Sequence, residues 1–157
     1  MTTIVCNRRH MASDTLLASY TKESVNKIWR VGNSLVGIAG VYSECVKFVR
    51  WLKEPGSIDE NDIEVSEVSA LVLKDSGISV YDGGFSPYSI QDQFAAIGTG
   101  AMAALGVMYV LEALEASVSD DKSVQLAVGT SMRVDPMSGG KIAVRTLVGS
   151  HKVLYLP

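Results

Sequence analysis

Met1-Thr2-Thr3-Ile4-Val5 opens the chain, and the fold turns on whether this pentapeptide is a strand. Once the initiator Met1 is removed, Thr2 carries a hydroxyl and a free α-amine together, a nucleophile and a base in one residue. Thr3, Ile4 and Val5 are the residues that follow, and Thr2 through Val5 are all β-branched, which favours a strand over a loose tail. A threonine near a chain end proves nothing alone, because most termini are disordered and functionless. The remaining sequence must supply both the neighbours of this strand and the partners of such a nucleophile.

Working outward, residues 2–7 and 11–13 read as two strands joined by Arg8-Arg9-His10, with Asp14 at the exit. After a polar stretch at 21–26, residues 27–31 alternate in strand fashion. Gly32-Asn33 then turns the chain into 34–40, a second hairpin that ends on glycine. The period changes next: Val41, Cys45, Phe48, Val49 and Leu52 share one helical face, with Glu44, Lys47 and Arg50 opposite. Pro55-Gly56 stops this helix, and the acidic segment 59–67 is a linker or a brief helical turn.

Residues 70–73 and 78–81 form a third predicted hairpin, broken at Asp82-Gly83-Gly84. A short buried strand at 94–97 runs into Gly98-Thr99-Gly100 and a helix over 101–116 so uniformly apolar that it should be covered on most sides. Ser119 is a cap for a further helix reaching 132 and burying Val124, Leu126, Ala127 and Val128. An irregular loop at 133–140 holds Asp135 and Ser138, and strands at 141–148 and 152–155 close the chain around Gly149-Ser150. This order predicts a single α+β domain spanning 1–157, with sheets inside and helices outside.

Composition narrows the function. With 157 residues, 47% of them hydrophobic, the chain can bury a real core. A formal charge of −3 and a pI near 5.3 leave no basic footprint, which argues against nucleic acid as a partner. The longest apolar run, 101–111, is far short of the ~20 residues that span a bilayer, and the N-terminus reaches Arg8 and Arg9 without an apolar signal segment. A cytoplasmic protein with no membrane partner is expected. Cys6 and Cys45 lack metal-ligand or Cys-x-x-Cys spacing and read as buried thiols.

Taken singly, the polar landmarks have bland explanations: Thr2 and Thr3 as edge-strand formers, Asp14 as a turn residue, Lys27 as a solvated strand charge. Gly98-Thr99-Gly100 ahead of a helix could cradle a phosphate, though it has no following acidic partner. Gly139-Gly140-Lys141 precedes Ile142 and lacks the upstream glycine of a P-loop. His10 and His151 lie in turns, and without a Gly-x-Ser-x-Gly motif they do not suggest a serine-hydrolase triad. The acidic residues from Asp59 to Glu67 suit a solvated face better than a cation site.

Six segments together are harder to dismiss: Thr2-Thr3-Ile4-Val5, Ser13-Asp14, Lys27-Ile28, Gly37-Ile38-Ala39-Gly40, Ala96-Ile97-Gly98-Thr99-Gly100 and Asp135-Pro136-Met137-Ser138-Gly139-Gly140. In order and spacing they resemble the proteasome-type N-terminal-nucleophile hydrolases, most closely the proteasome β-subunit and its bacterial relative HslV. The resemblance implies a four-layer α-β-β-α sandwich and a threonine-type endopeptidase working in a self-compartmentalised homo-oligomeric ring. Peptides or unfolded proteins would be its substrates, with an ATP-dependent unfoldase as a candidate partner.

It also implies roles. Thr2 is the nucleophile, Lys27 the active-site cation held by Asp14, and the Gly40 amide the oxyanion donor. Thr99 stands where the family usually has serine, and Asp135 and Ser138 brace the terminus. Ile38 would line the pocket for the residue before the cleaved bond. No cofactor is required, although the loop of Asp135 and Ser138 could hold a structural monovalent or divalent cation through backbone carbonyls.

The chain departs from the family pattern in its short first hairpin and in the abbreviated segment after the first helix, where relatives carry a second long helix used in ring contacts. A smaller or different assembly is therefore an expectation. Catalysis is conditional on loss of Met1, because an acylated Thr2 nitrogen has no lone pair for base chemistry. Thr2 is small enough for ordinary methionine removal. The alternatives are a catalytically silent, proteasome-like structural or interaction subunit that retains Met1, and an amidohydrolase acting on small amides.

Overall fold

The computed structural model describes residues 2–18, 22–149 and 151–154. The opening segment is a strand, β1 (Thr3–Asn7), and it is buried along its whole length. It lies between β10 (Phe94–Gly98) and β2 (His10–Asp14), in register Ile4↔Ile97 on one side and Ile4↔Ser13 on the other. It is therefore an inner strand and not an edge. The β1–β2 turn is closed by the Asn7 side-chain oxygen, which accepts from the backbone N–H groups of Arg9 (2.9 Å) and His10 (2.7 Å). His10 thus opens β2, half-buried, and the His151 side chain lies outside the described residues.

Two five-stranded antiparallel sheets stack on each other. The first runs β10-β1-β2-β11-β12, with β11 (Ile142–Thr146) and β12 (His151–Leu154). The second runs β5-β6-β7-β8-β9, from β5 (Ile28–Val31) and β6 (Ser34–Gly40) through β7 (Val68–Lys74) and β8 (Gly77–Asp82) to β9 (Tyr88–Ile90). Ile4, Cys6 and Met11 from the first sheet meet Ile28, Leu35, Leu71, Leu73 and Ile78 from the second in the central apolar layer.

Strand alternation sends the other faces to the helices. Val5, Ala12, Ile142 and Val144 pack under α2 (Ala101–Ala113) and α3 (Asp120–Val134). Val36, Ile38, Ala70 and Val72 pack under α1 (Tyr42–Lys53). The result is the expected four-layer α-β-β-α sandwich. Phe48, fully buried, anchors α1 with its ring 5.2 Å edge-on from Tyr81 and 5.4 Å from Trp51.

Several local expectations are corrected. Ahead of residue 27 stands a small hairpin, β3 (Leu16–Ala18) with β4 (Lys22–Ser24), the second strand falling within the polar stretch. The second sheet gains β9, whose tyrosine and serine face outward and leave no alternating signal. Between α1 and β7 stand two single 3₁₀ turns, Glu60–Asp62 and Val65–Glu67. They are tied to α1 through Glu44, which accepts from the Glu64 N–H (2.9 Å) and from Lys47 Nζ (2.9 Å).

The helix α2 is not covered on most sides. Ala104 and Met108 are buried against the sheet and α3, whereas Met102 is 81% and Leu114 72% exposed. Leu126 on α3 is likewise exposed, the buried face continuing instead through Val124, Ala127, Val128 and Ser131. The last predicted strand extends to Tyr155, which lies outside the described residues.

Candidate active site

Thr2 sits at the head of β1, 5% exposed, at the back of a cleft of about 560 Å³. Ala39, Gly40 and Val41 form one wall, Ser66, Glu67 and Ser69 a second, and Gly98 and Thr99 a third. These segments converge because β1 is paired with β10 in the first sheet, while the end of β6 approaches from the second. Gly98 has φ +91°, and a Cβ there would collide with the Thr2 carbonyl. Only glycine lets the β10 end pass this close to the head of β1.

Asp14 and Lys27 lie beneath that head, 0% and 4% exposed. Lys27 Nζ donates to both carboxylate oxygens, at 3.0 and 3.1 Å. Oδ1 also accepts from the Thr3 N–H at 2.9 Å, so one atom ties the lysine to the residue beside Thr2. Oδ2 accepts from the N–H groups of Gly139 (3.0 Å) and Leu16 (3.3 Å). Burial pushes the Lys27 ammonium below its ordinary pKa, and the Asp14 charge and hydrogen bonds oppose that shift without reversing it.

A second network braces the other side. Ser138 Oγ donates to Asp135 Oδ2 at 2.6 Å and shares a 2.7 Å hydrogen bond with Thr3 Oγ1. Thr99 Oγ1 donates to the same Asp135 oxygen at 2.6 Å, and the Met137 N–H reaches Oδ1 at 3.0 Å. Burial raises the Asp135 pKa, but these hydrogen bonds outweigh it and hold the carboxyl below its ordinary value.

Gly40 supplies a directed amide. The Ile38 N–H donates across to the Lys27 carbonyl at 3.1 Å, and alternation points the Gly40 N–H the same way two residues on. There β5 has not yet begun, so this N–H faces the cleft instead of a strand partner. Gly40 has φ +135°, and a Cβ there would strike the Glu67 carbonyl.

Thr2, Asp14, Lys27, Gly40, Thr99, Asp135 and Ser138 thus come together around one cleft. Ile38 does not join them. It is 2% exposed and packs with Cys45, Phe48 and Val68 in the layer beneath α1, so the expectation of a side-chain pocket there is corrected. Two residues assigned no site role from the sequence belong to the site. Thr3 carries its hydroxyl into the Ser138 network, and buried Ser131 holds the Gly100 carbonyl at 2.9 Å. A polar residue continuing the apolar 124–127–128 face of α3 was the available signal for Ser131.

Several oxygens of this loop are engaged within the protein. The Asp135 carbonyl accepts from the Ser138 N–H, and the Gly139 carbonyl accepts from the N–H groups of Thr15 and Leu16. Both Asp135 carboxylate oxygens and the Ser138 hydroxyl are also engaged within the protein. Among the described residues no group of three or more His, Cys, Asp or Glu side chains is arranged to hold a metal. Burial pushes the thiols of Cys6 and Cys45 up to about 12, and Cys45 lies close enough to Lys27 for their charges to interact.

Comparison with solved structures gives the arrangement a context. Thiobacillus denitrificans BPH in complex with epoxomicin is 24% identical, with 94% of this chain and 99% of that chain covered at a TM-score of 0.69. A second structure of Thiobacillus denitrificans BPH is 26% identical over 95% and 99%, at 0.68. The eukaryotic HslV from Trypanosoma brucei is 18% identical over 92% and 98%, at 0.71.

The chain has the fold of the proteasome-type N-terminal-nucleophile hydrolases. No protein-family model and no curated protein sequence matches it, so the likeness rests on three-dimensional form. Within this proteasome-type fold the cleft lies where β1, β6 and β10 meet, and the two carboxylates, Asp14 and Asp135, flank the head of β1 from opposite sides.

Proposed function

We propose that the chain is an N-terminal threonine peptidase, active once Met1 has been removed. The observation that carries this reading is the single Asp14 oxygen shared by Lys27 Nζ and the Thr3 N–H, which fixes a buried cation beside the first residue of an inner strand. A solvated strand lysine has no reason to be placed so.

The chemistry follows from the groups at hand. The α-amine of Thr2, with a reference pKa of ~7.7–8.0, takes the Thr2 Oγ proton directly or through one water as Oγ bonds to a peptide carbonyl carbon. The nearby Lys27 charge favours the neutral amine and the developing alkoxide. Negative charge that builds on the carbonyl oxygen is met by the Gly40 N–H. Collapse of the tetrahedral species breaks the C–N bond, and the departing amine takes its proton from the Thr2 ammonium. A water activated by the same amine then hydrolyses the ester and restores Thr2. Asp135, Ser138 and Thr99 hold the site in place, and no cofactor enters any step.

Fold likeness to BPH and HslV supports extending the proposal to a homo-oligomeric ring; a cytoplasmic setting, peptides or unfolded polypeptide as substrates and supply by an ATP-dependent unfoldase complete the proposal. An epoxyketone such as epoxomicin, present in the BPH complex, is the matching probe because it reacts with both groups of a terminal threonine. A single adduct is expected on the Met1-less species by intact mass. Thr2→Ala should abolish both the adduct and peptide hydrolysis while leaving the melting temperature within a few degrees. Full hydrolytic activity in purified Thr2→Ala protein would rule the mechanism out.

A further inference from the structure

The cleft continues past Thr2. Gly98 and Ser69 also line an adjoining groove of about 390 Å³ that runs along the whole of β10 towards β9 and the outer side of α2. β10 and β9 end their respective sheets among the described residues, so the groove is the open seam between two sheet edges.

Backbone polarity along that seam can be worked out. The Thr3 N–H points to β2, where it meets Asp14, so the groups directed from β1 to β10 belong to Ile4 and Cys6. Their partners are Ile97 and Ala95. The N–H and C=O groups of Phe94, Ala96 and Gly98 therefore point outward into the groove, a row able to pair with an added extended chain.

Charge along the seam has one sign. Asp82 and Asp92 line the groove, Glu67 lines the cleft at its end, and among the described residues no lysine or arginine lines either. Among the described residues none of these three carboxylates is in a salt bridge. The half-exposed rings of Tyr88 and Tyr109 stand in the same groove, surfaces on which a cationic side chain can rest.

We propose that this seam is an extended substrate subsite, in which a basic stretch of the polypeptide adds as a strand to β10 while its lysines and arginines pair with Asp82 and Asp92. It rests on the reading of the cleft as a peptidase site, since Gly98 delivers a chain bound there to Thr2. The selectivity follows from charge and strand addition together. A neutral peptide gains the backbone pairing only, and an acidic one is repelled by the carboxylates.

The test measures binding without turnover. Thr2→Ala protein is titrated at low salt with a fluorescent ten-residue peptide carrying alternate lysines, and with the same peptide carrying glutamates. About tenfold tighter binding of the lysine peptide is expected, the sum of a few partly screened pairs. The preference should fall to about twofold or less in Asp82→Asn/Asp92→Asn protein of unchanged circular dichroism. N-methylation of alternate amides of the lysine peptide should weaken it further. Equal binding of the two peptides, or a preference that survives the double substitution, would overturn the proposal. Because this readout needs no nucleophile, an inactive wild-type enzyme that still prefers the lysine peptide would count against the peptidase mechanism alone.

Discussion

Asp14 gathers the Thr3, Leu16 and Gly139 amides and the Lys27 ammonium on two oxygens with no water-exposed surface. Removing it takes this acceptor from all four donors, whereas removing Lys27 leaves the carboxylate three. Asp14→Ala is therefore expected to lower stability by about 3–5 kcal/mol, the usual cost of breaking a buried ion pair, and Lys27→Met by less. Urea denaturation of the two variants checks the ordering. Asp135 gives a pH prediction. Its hydrogen bonds hold the folded pKa below the ordinary aspartate value of ~3.9, so it contributes stability that is complete above that value and lost as pH falls through the lower folded one. Asp135→Asn should flatten this part of the acid limb when urea midpoints are compared from pH 6 to pH 2. Of these residues, Thr2, Asp14 and Lys27 were legible because their types and order form a pattern. Ile38 misled because strand parity alone does not say which sheet face meets the cleft.

At the scale of elements, the hairpins around Gly32-Asn33 and Gly77 were legible because turn chemistry and alternation agree there. The β3–β4 pair and β9 were not, since three-residue strands with one or two inward side chains offer no period to detect. In α2 the failure is instructive. Its apolar residues surround the helix, but one chain provides a sheet and α3 on one side only, leaving Met102, Val110 and Leu114 uncovered. In the proposed ring this face meets other copies of the chain. Leu114→Glu should then change monomer stability by no more than about 0.5 kcal/mol while lowering the assembled mass measured by light scattering. An unchanged mass would remove α2 from the interface.

At the scale of the whole molecule, the four layers follow from three alternations of apolar residues. Inner faces of both sheets make the central core, and outer faces call for helices on each side. That architecture was readable from element order together with the family resemblance; the convergence of distant loops on β1 was not, because it depends on contacts between residues 135 apart in sequence, as between the side chains of Thr3 and Ser138. Pairing on both sides of β1 also bears on when the proposed peptidase can be made. From Thr3 onward the strand is locked between β2 and β10, and Thr2 is almost inaccessible, so a folded chain offers an aminopeptidase no slack with which to draw the terminus into its own pocket. On the proposed mechanism, methionine removal is expected to precede folding. Methionine aminopeptidase added to folded, Met1-bearing protein should leave its mass unchanged, and the same treatment of urea-loosened chain should remove 131 Da, about one methionine residue. Chains that fold first would then be permanently latent, and the active fraction of a preparation would record the relative speeds of processing and folding during synthesis.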